Sequence, residues 1–515
     1  MFMDAIKETL NEDMNYSMTE NGALGYCTTG KSLLDLNFSV SSLRSASEQE
    51  IINKFMKAFC EDKILAMRWL FFARDIKQGL GERRLFRVIV SDLIKSNPEM
   101  VLPVIKLFSY YGRWDDMWCL LDIPMAAKAV YDIVDKQLTE DLKNMNEGKS
   151  ISLLGKWMPS TSASSNQTKR YAKQLRKALS LTEQEYRKIL SKLRKYLDVV
   201  EVKMSAKNWS EINYETVPSR ANLIYNNAFF RNDEERRRDY LSKLEKGETK
   251  INASTLYPHD IVHKYTNGSR YPSSMDATLE SLWKALPDNV NGCGNTIVVA
   301  DGSGSMGCRL GNTNVTALSV ANALAIYFAE RSSGEFKDKY ITFSERPQFV
   351  DFSNCSSLHA KIQTAAVHNE IANTNIEAVF DLILKTAINN NMTQEEIPQN
   401  ILIVSDMEFD SCATCGASRG WYSLNRPDQR LFAVIAKKYE NAGYKLPRLI
   451  FWDVNSRTST VPIKENELGV ALVSGFSTNI CKMVLSGELD PYKCLLEMIN
   501  SERYDAVEQA IKEVI

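Results

Sequence analysis

The sequence predicts a multidomain protein in which an α-helical solenoid precedes a doubly wound, open-sheet α/β domain. Three observations predict this fold class. The chain has 515 residues, too many for one hydrophobic core. Its first half places apolar residues at helical spacing, and its second half alternates β-branched runs with helical segments. We expect a loop-like N-terminal extension at 1–30, a helical domain at 31–286, a linker at 287–295 and an α/β domain at 296–515.

The helical half consists of short segments separated by breakers. From Ser47 onward, Ile51, Phe55 and Phe59 fall on one stripe, and Lys77–Gly81 interrupts the pattern. Further helices are expected at 82–95, 101–110, 127–146, 169–179, 182–200, 221–230 and 233–246. This texture is typical of a HEAT-like stack, although no exact sequence period is visible.

The second half has the alternation of an open parallel sheet. Thr296–Ala300 is an uninterrupted apolar run, as expected of a strand buried on both faces. Further strands are expected at 340–343, 348–352, 401–405, 448–453 and 470–473, the first two as a hairpin. Helices are expected at 315–331, 376–388, 429–441 and the carboxyl end.

Oxygen-bearing side chains gather where these strands end. Asp301, Ser303 and Ser305 follow the first strand, Thr374 precedes a helix, and Asp406 follows the central strand. Ligands bind at the carboxyl ends of strands in open α/β sheets, and hard divalent cations prefer oxygen ligands. The sequence therefore predicts a site for Mg²⁺, or for Mn²⁺ or Ca²⁺, with an open position for a partner's carboxylate or phosphate.

Basic residues gather in two parts of the helical half. Residues 169–207 hold twelve Lys or Arg and only four acids, with Tyr171, Tyr186 and Tyr196 interleaved. Phosphate contacts use such cations, and aromatic rings stack on unpaired bases. The alternative is a solvated helix face whose tyrosines serve the core. The candidate RNA-binding residues are Arg74, Lys77, Arg83, Arg84, Lys169, Arg170, Lys173, Arg176, Arg187, Lys188, Lys192 and Lys195.

Composition narrows the class of protein. The 63 basic residues balance 64 acidic ones, which excludes a globally basic nucleic-acid binder. Ten cysteines without a spacing pattern favour reduced thiols over a disulfide framework. The amino terminus lacks the pattern of a signal peptide, and no stretch has the length of a spanning helix. We expect a soluble, cytoplasmic protein without a membrane partner.

The strand-end residues resemble a known metal site. Asp301-Gly-Ser-Gly-Ser305, with Thr374 and Asp406, is similar to the DxSxS…T…D pattern of the metal-ion-dependent adhesion site in von Willebrand factor A domains. The resemblance implies that Ser303, Ser305 and Thr374 contact Mg²⁺, with Asp301 and Asp406 acting directly or through water. It also implies that the site grips an acidic ligand.

A second resemblance covers about residues 20 to 510. Four segments resemble a family of uncharacterised proteins that join a helical domain to such a carboxyl-terminal domain; they lie at Ala73–Phe86, Tyr110–Met117, Trp209–Tyr225 and Lys250–Val262. The organisation is similar to that of the Ro proteins, whose TROVE domain is a ring of HEAT-like repeats. That similarity implies binding of small noncoding or misfolded RNA.

Two kinds of enzyme are alternative interpretations of the residues that follow the first strand. Gly302–Gly307 matches the dinucleotide fingerprint GxGxxG, but Asp301 would face the pyrophosphate and no acid stands near position 322 to hold a ribose. Aspartyl-phosphate chemistry would use Asp301 with Ser344, Asp406 and Asp410, but the usual proton-transfer acid is replaced by Ser303. Both patterns therefore favour binding without catalysis.

Three smaller motifs favour structural roles. His259 and His263 could share a helix face as metal ligands, but no third ligand stands beside them. Cys412 and Cys415 form a lone CxxC, which favours a surface insertion. Trp114 with the two acids after it is expected to be a buried tryptophan with capping acids.

The sequence thus predicts a non-enzymatic ribonucleoprotein component with an RNA-binding helical domain and an Mg²⁺ site. The alternative is a metal-dependent protein-protein scaffold that does not bind RNA. The sequence does not indicate an oligomeric state.

Overall fold

The computed structural model describes residues 14–19, 24–290, 295–311, 313–343, 347–369, 376–408, 431–457, 461, 470–481 and 490–513. The chain divides into two compact units. The α/β unit comprises the residues up to Glu61 together with Leu256–Met498, and the helical unit comprises Asp62–Thr255 with Ile499–Ile515. Residues 31–61 and 256–286, expected in the helical domain, thus fall in the α/β unit, and residues 499–515, expected in the α/β domain, fall in the helical unit.

The described helices of the helical unit confirm that this part of the chain is helical. They are α4 Lys63–Arg74, α5 Arg84–Ser96, α6 Pro98–Val101, α7 Phe108–Tyr111, α8 Pro124–Asn146, α9 Leu154–Trp157, α10 Asn166–Ala178, α11 Glu183–Tyr196, α12 Val200–Ser205, α13 Ser219–Asn232, α14 Glu234–Glu245 and α22 Asp505–Lys512. Short 3₁₀ helices lie at Leu102–Leu107, Trp114–Leu120, Trp209–Glu211 and Glu502–Tyr504. Their arrangement as a HEAT-like stack stays a prediction.

The described helices of the α/β unit are α1 Ser32–Phe38, α2 Val40–Leu43, α3 Glu48–Glu61, α15 Pro258–Thr266, α16 Ala277–Lys284, α17 Ala317–Arg331, α18 Leu358–His368, α19 Ile376–Asn389, α20 Leu431–Asn441 and α21 Pro491–Ile499, whose last residue falls in the helical unit. Its 3₁₀ helices are Gly304–Gly307, Gly334–Phe336 and Thr478–Ile480. The strands are β1 Tyr16–Met18, β2 Leu24–Tyr26, β3 Thr296–Asp301, β4 Lys339–Phe343, β5 Phe349–Asp351, β6 Asn400–Ser405, β7 Arg448–Asp453 and β8 Val470–Ser474.

The main sheet has the strand order β5-β4-β3-β6-β7-β8. Strands β4, β3, β6, β7 and β8 are parallel, and β5 pairs antiparallel with β4 as the expected hairpin. Every residue of β3 is buried. Since successive side chains point to opposite faces, both faces of this strand are covered. The prediction of an α/β half is confirmed.

The first 30 residues contain more structure than the expected loop. β1 and β2 pair antiparallel, with Tyr16 opposite Tyr26, and Tyr26 exchanges backbone hydrogen bonds with Val461. The loop prediction was wrong at Tyr16–Met18 and Leu24–Tyr26, because three-residue strands are too short to show alternation. The further pairing of Tyr26 joins residues more than four hundred positions apart.

Candidate metal centre and nucleic-acid interface

The predicted metal residues lie where the sheet reverses its strand order. The chain moves from β3 outward to β4 and β5, and then returns to β6 on the other side of β3. Asp301 is the last residue of β3, and Asp406 directly follows β6. The carboxyl ends of these two neighbouring parallel strands form the crevice in which open α/β sheets bind ligands.

Asp301 is fixed by two hydrogen bonds. One carboxylate oxygen accepts from the Ser405 hydroxyl at 2.7 Å, and the other accepts from the Ser303 backbone amide at 2.9 Å. The side chain is buried, and burial together with the nearby Asp406 carboxylate raises the pKa of Asp301 to about 7. The two buried carboxyl groups therefore disfavour carrying two negative charges together, and either a proton or a bound cation would relieve this repulsion.

The two serines of the motif face each other. The hydroxyl oxygens of Ser303 and Ser305 lie 2.9 Å apart in the turn formed by the 3₁₀ helix Gly304–Gly307. The chain therefore brings both hydroxyls to the strand end that carries Asp301. Thr374, the fifth predicted ligand, lies outside the described residues.

Asp406 supplies an oxygen that is buried and lacks a hydrogen-bond partner. Its side chain is fully buried, and Oδ2 accepts no hydrogen bond among the described residues. The nearest cation is the Arg457 guanidinium, 3.8 Å away. Burial raises the pKa of Asp406, while the Ser305 hydroxyl acts in the opposite direction. Since buried polar atoms are normally satisfied, an oxygen in this state is compatible with a role as a cation ligand.

The donor set fits a hard divalent ion. Two carboxylates and two hydroxyls supply oxygen ligands only, as Mg²⁺, Mn²⁺ and Ca²⁺ prefer. The described residues contain no group of three or more His, Cys, Asp or Glu side chains placed to hold a metal. Any ion held here would therefore depend on the serine hydroxyls as well as on the two aspartates.

The helix that follows argues against a dinucleotide site. α17 begins at Ala317, where the Thr316 hydroxyl accepts from the Ser319 amide and caps the first turn. Its amino terminus is thus separated from Gly302–Gly307 and already satisfied, whereas a dinucleotide fold places the pyrophosphate on a helix that starts at the glycines. For aspartyl-phosphate chemistry, Ser344 and Asp410 lie outside the described residues.

The basic residues of α10 and α11 are mostly exposed, as expected. Lys169, Arg170, Lys173, Arg187, Lys188, Lys192 and Lys195 are all exposed. Arg170 is paired with Asp122 at 2.5 Å, and Arg176 is half-buried and donates to the Leu181 carbonyl at 3.1 Å. Among the described residues, the remaining six cations form no ion pair within 4 Å.

The candidate basic residues between positions 74 and 84 differ in how far they are buried. Arg74 is fully buried and pairs with Asp116 at 2.6 Å, so its prediction as an RNA contact was wrong; sequence charge does not reveal that a cation is satisfied internally. Lys77, Arg83 and Arg84 are exposed. Partial burial and the neighbouring Arg113 and Arg87 guanidinium groups lower the pKa of Arg83 to about 10.

The three tyrosines that lie among these basic residues also differ in exposure. Tyr171 and Tyr186 are buried, and the Tyr186 hydroxyl donates to the Pro159 carbonyl at 2.8 Å. Only Tyr196 of the three is exposed, with 40% of its surface accessible. Two of the three expected stacking rings therefore serve the core.

Two of the three smaller motifs lie within the described residues. Trp114 is buried and begins a 3₁₀ helix, and Asp116 accepts hydrogen bonds from Arg74, Arg87 and the Arg113 amide. His259 is buried in the first turn of α15 beside Phe476. Cys412 and Cys415 lie outside the described residues.

A further sequence pattern, near the amino terminus, has its backbone amides occupied by hydrogen bonds within the protein. Gly25–Ser32 matches the phosphate-binding pattern GxxxxGK[ST] between β2 and α1. The amides that would cradle a phosphate already donate to side chains: Thr29 to Asp35, Gly30 to the Thr28 hydroxyl, Lys31 to the Thr29 hydroxyl and Ser32 to Glu61. The loop therefore presents no phosphate cradle.

Sequence comparison links the chain to proteins without a known function. Residues 124–295 match a domain of unknown function, DUF2828, and residues 295–513 match a second, DUF7788. Uncharacterized protein L728 of Acanthamoeba polyphaga mimivirus is 31% identical over 542 residues, which cover 95% of this chain and 90% of the mimivirus protein. The similarity extends over both halves.

Structural comparison gives a weaker likeness. The crystal structure of the Deinococcus radiodurans RO (RSR) protein aligns with a TM-score of 0.35 at 13% identity, covering 87% of this chain and 93% of that one. Separately, none of the described helices combines the length and apolar character needed to cross a bilayer.

Proposed function

This chain belongs to the protein family that includes uncharacterized protein L728 of Acanthamoeba polyphaga mimivirus, and from that premise we propose that it is a non-enzymatic, RNA-binding component of a ribonucleoprotein. The helical unit contacts the phosphates of small noncoding or misfolded RNA. The α/β unit holds Mg²⁺ and grips an acidic ligand.

The observation that carries the RNA proposal is a lysine stripe on α11. Lys188, Lys192 and Lys195 are spaced four and three residues apart, so they project from one side of the helix. All three are exposed and form no ion pair among the described residues. Like charges at this spacing repel one another by a few tenths of a kcal/mol, a cost that a bound phosphate backbone would remove.

A helix of the same unit shows how a solvated basic face is normally balanced. On α14, Arg238 pairs with Glu234 at 2.8 Å and Lys243 pairs with Asp239 at 2.7 Å, each one turn away. Among the positions three and four residues before the stripe's lysines, only Glu185 is an acid. It lies three residues before Lys188, and its carboxylate accepts hydrogen bonds from the Thr182 amide and hydroxyl instead of forming an ion pair within 4 Å. This contrast supports a surface for an external anion over a merely solvated face.

The observation that favours the metal site is the buried Oδ2 atom of Asp406, which has no hydrogen bond among the described residues and only a 3.8 Å contact with the Arg457 guanidinium. Asp301 and Asp406, with the Ser303 and Ser305 hydroxyls, would hold the ion. When bound, the ion supplies a positive charge that attracts a partner's carboxylate or phosphate. The chain's own residues orient the hydroxyls, and burial of both aspartates keeps water from competing with them.

Crosslinking tests the RNA proposal directly. Full-length tagged protein is irradiated in cells, purified under denaturing conditions, and its attached RNA is sequenced. The proposal expects RNA that is enriched over a matched variant with Lys188→Gln, Lys192→Gln and Lys195→Gln. Equal, background-level recovery from both proteins, with a protein partner captured instead, would favour the protein-protein scaffold.

A further inference from the structure

Tyr196 continues the lysine stripe of α11. It follows Lys188 and Lys192 at successive four-residue steps, so the three side chains lie along one line of the helix surface. Each step advances about 6 Å along the axis. The stripe therefore ends in an aromatic ring at the carboxyl end of the helix.

The hydroxyl of this ring is anchored. It donates to the Lys149 backbone carbonyl at 2.7 Å, although 40% of the residue is exposed. A tyrosine held at its tip and exposed along its ring has lost part of its rotational freedom before a ligand arrives. Binding to its face consequently costs less ordering entropy than binding to a free side chain.

The ring carries no cation or second aromatic ring among the described residues, which distinguishes it from two other exposed tyrosines. Tyr110 is covered by the Arg503 guanidinium, 5.1 Å from the ring centre, and Tyr271 is covered by Arg270 at 5.7 Å. No cation or second ring lies over Tyr196 among the described residues. Its apolar face beside a row of unpaired lysines matches one chemistry: a flat base attached to a phosphate backbone.

We propose that Tyr196 is a stacking platform for an unpaired base, and that the neighbouring lysine stripe holds the adjoining phosphates. The helical unit thereby selects unpaired RNA segments, because bases in a duplex have no free face to offer. This inference rests on the proposed RNA-binding function. It identifies the residue that distinguishes unpaired RNA from a duplex.

A base-by-residue cycle tests the platform in the full-length protein. Fluorescence anisotropy measures binding of a labelled oligouridine, of an equally long ribose-phosphate strand without bases, and of a paired RNA duplex. Tyr196→Ala should weaken oligouridine binding about ten-fold and leave the base-free strand and the duplex unchanged. Tyr196→Phe keeps the ring and should retain most of the affinity. Tyr271→Ala removes an exposed but covered ring and is the matched control.

The outcomes separate the two proposals. If Tyr196→Ala binds oligouridine as tightly as the unchanged protein while neutralising the lysine stripe abolishes binding, the platform is wrong and RNA binding stands. An equal loss for all three ligands also overturns the platform, because it indicates a change in the helix and not in base contact. If the unchanged protein binds none of the ligands at low salt, the proposed function fails, and the platform fails with it. Circular dichroism confirms that each variant is folded.

Discussion

The Ser41 hydroxyl donates a 2.7 Å hydrogen bond to the carboxylate of Asp453, at the end of β7. Ser41 lies in α2, and its amide also donates to the Ser474 hydroxyl at the end of β8. All three residues are buried. The segment before the helical half thus closes one end of the main sheet, 412 residues away from its partner in sequence.

The buried Asp453 predicts a pH dependence of stability. Burial raises its pKa from 3.8 to about 7, so the folded protein holds this proton more tightly than the unfolded chain. The resulting stabilisation is complete below about pH 3.8 and is lost as the pH rises through 7. Relative to the unchanged protein, Asp453→Asn should therefore gain on the order of 3 kcal/mol between pH 5 and pH 8.

Thermal unfolding at the two pH values measures this difference. Asp351→Asn is the control, because that carboxylate is exposed and its pKa is lowered. A difference between Asp453→Asn and the unchanged protein that stays constant from pH 5 to pH 8 would contradict the account of Asp453.

Removing the donor tests the same contact from the other side. Ser41→Ala takes away a hydrogen bond that favours the ionised form of Asp453. We expect a loss of about 2 kcal/mol at pH 8, where the carboxylate is charged, and a smaller loss at pH 5. Ser45→Ala, an exposed serine near the same helix, should change stability by less than about 0.5 kcal/mol. Equal losses for the two variants in denaturant unfolding would contradict this role.

The Asp406 oxygen that lacks a hydrogen bond among the described residues predicts metal binding. Titration calorimetry of the full chain with Mg²⁺ or Mn²⁺ should show binding that Asp406→Asn abolishes and that Asp351→Asn leaves intact. Saturating metal should raise the unfolding temperature of the unchanged protein, because a ligand that binds only the folded state stabilises it. Metal binding that survives Asp406→Asn unchanged would place the ion elsewhere.

The hydrogen bonds of Asp75 predict that its replacement destabilises the helical unit. It is fully buried and accepts hydrogen bonds from Arg503, including one at 2.9 Å, and from the Tyr504 hydroxyl at 3.1 Å. Asp75→Ala leaves a mostly buried guanidinium without its anion and should cost about 3–5 kcal/mol. Hydrogen exchange of the α4 amides measures the loss. Asp239→Ala breaks only an exposed pair and should leave exchange nearly unchanged; equal effects would contradict the assignment.

Local patterns in the sequence predicted more of the structure than patterns that depend on distant partners. The apolar run before Asp301 predicted β3, because burial on both faces leaves a continuous signal. The same local signal predicted that Asp301, Ser303 and Ser305 would gather at one strand end. Neither the Ser41–Asp453 contact nor the place of Arg503 beside Asp75 could be predicted, since each joins residues hundreds of positions apart.

Burial was the property that the sequence concealed in the basic regions. Arg74 and Arg83 look alike in the sequence, yet one is satisfied by Asp116 and the other is exposed. Tyr186 and Tyr196 share a helix, but only Tyr196 is exposed, because it lies at the end of α11 beyond the last buried turn. The periodicity of apolar residues shows which side of a helix faces the core. It does not show how far along the helix the neighbouring elements cover that side.

The salt dependence of RNA affinity tests the central claim most directly. Anisotropy titrations of the full-length protein with single-stranded RNA should give an affinity that falls steeply with salt. Replacing Lys188, Lys192 and Lys195 with glutamine should make the slope of log K against log salt shallower by about 2, as expected for three lost phosphate contacts at about 0.7 each. The same slope and affinity in both proteins, or no binding at low salt, would contradict RNA recognition by α11.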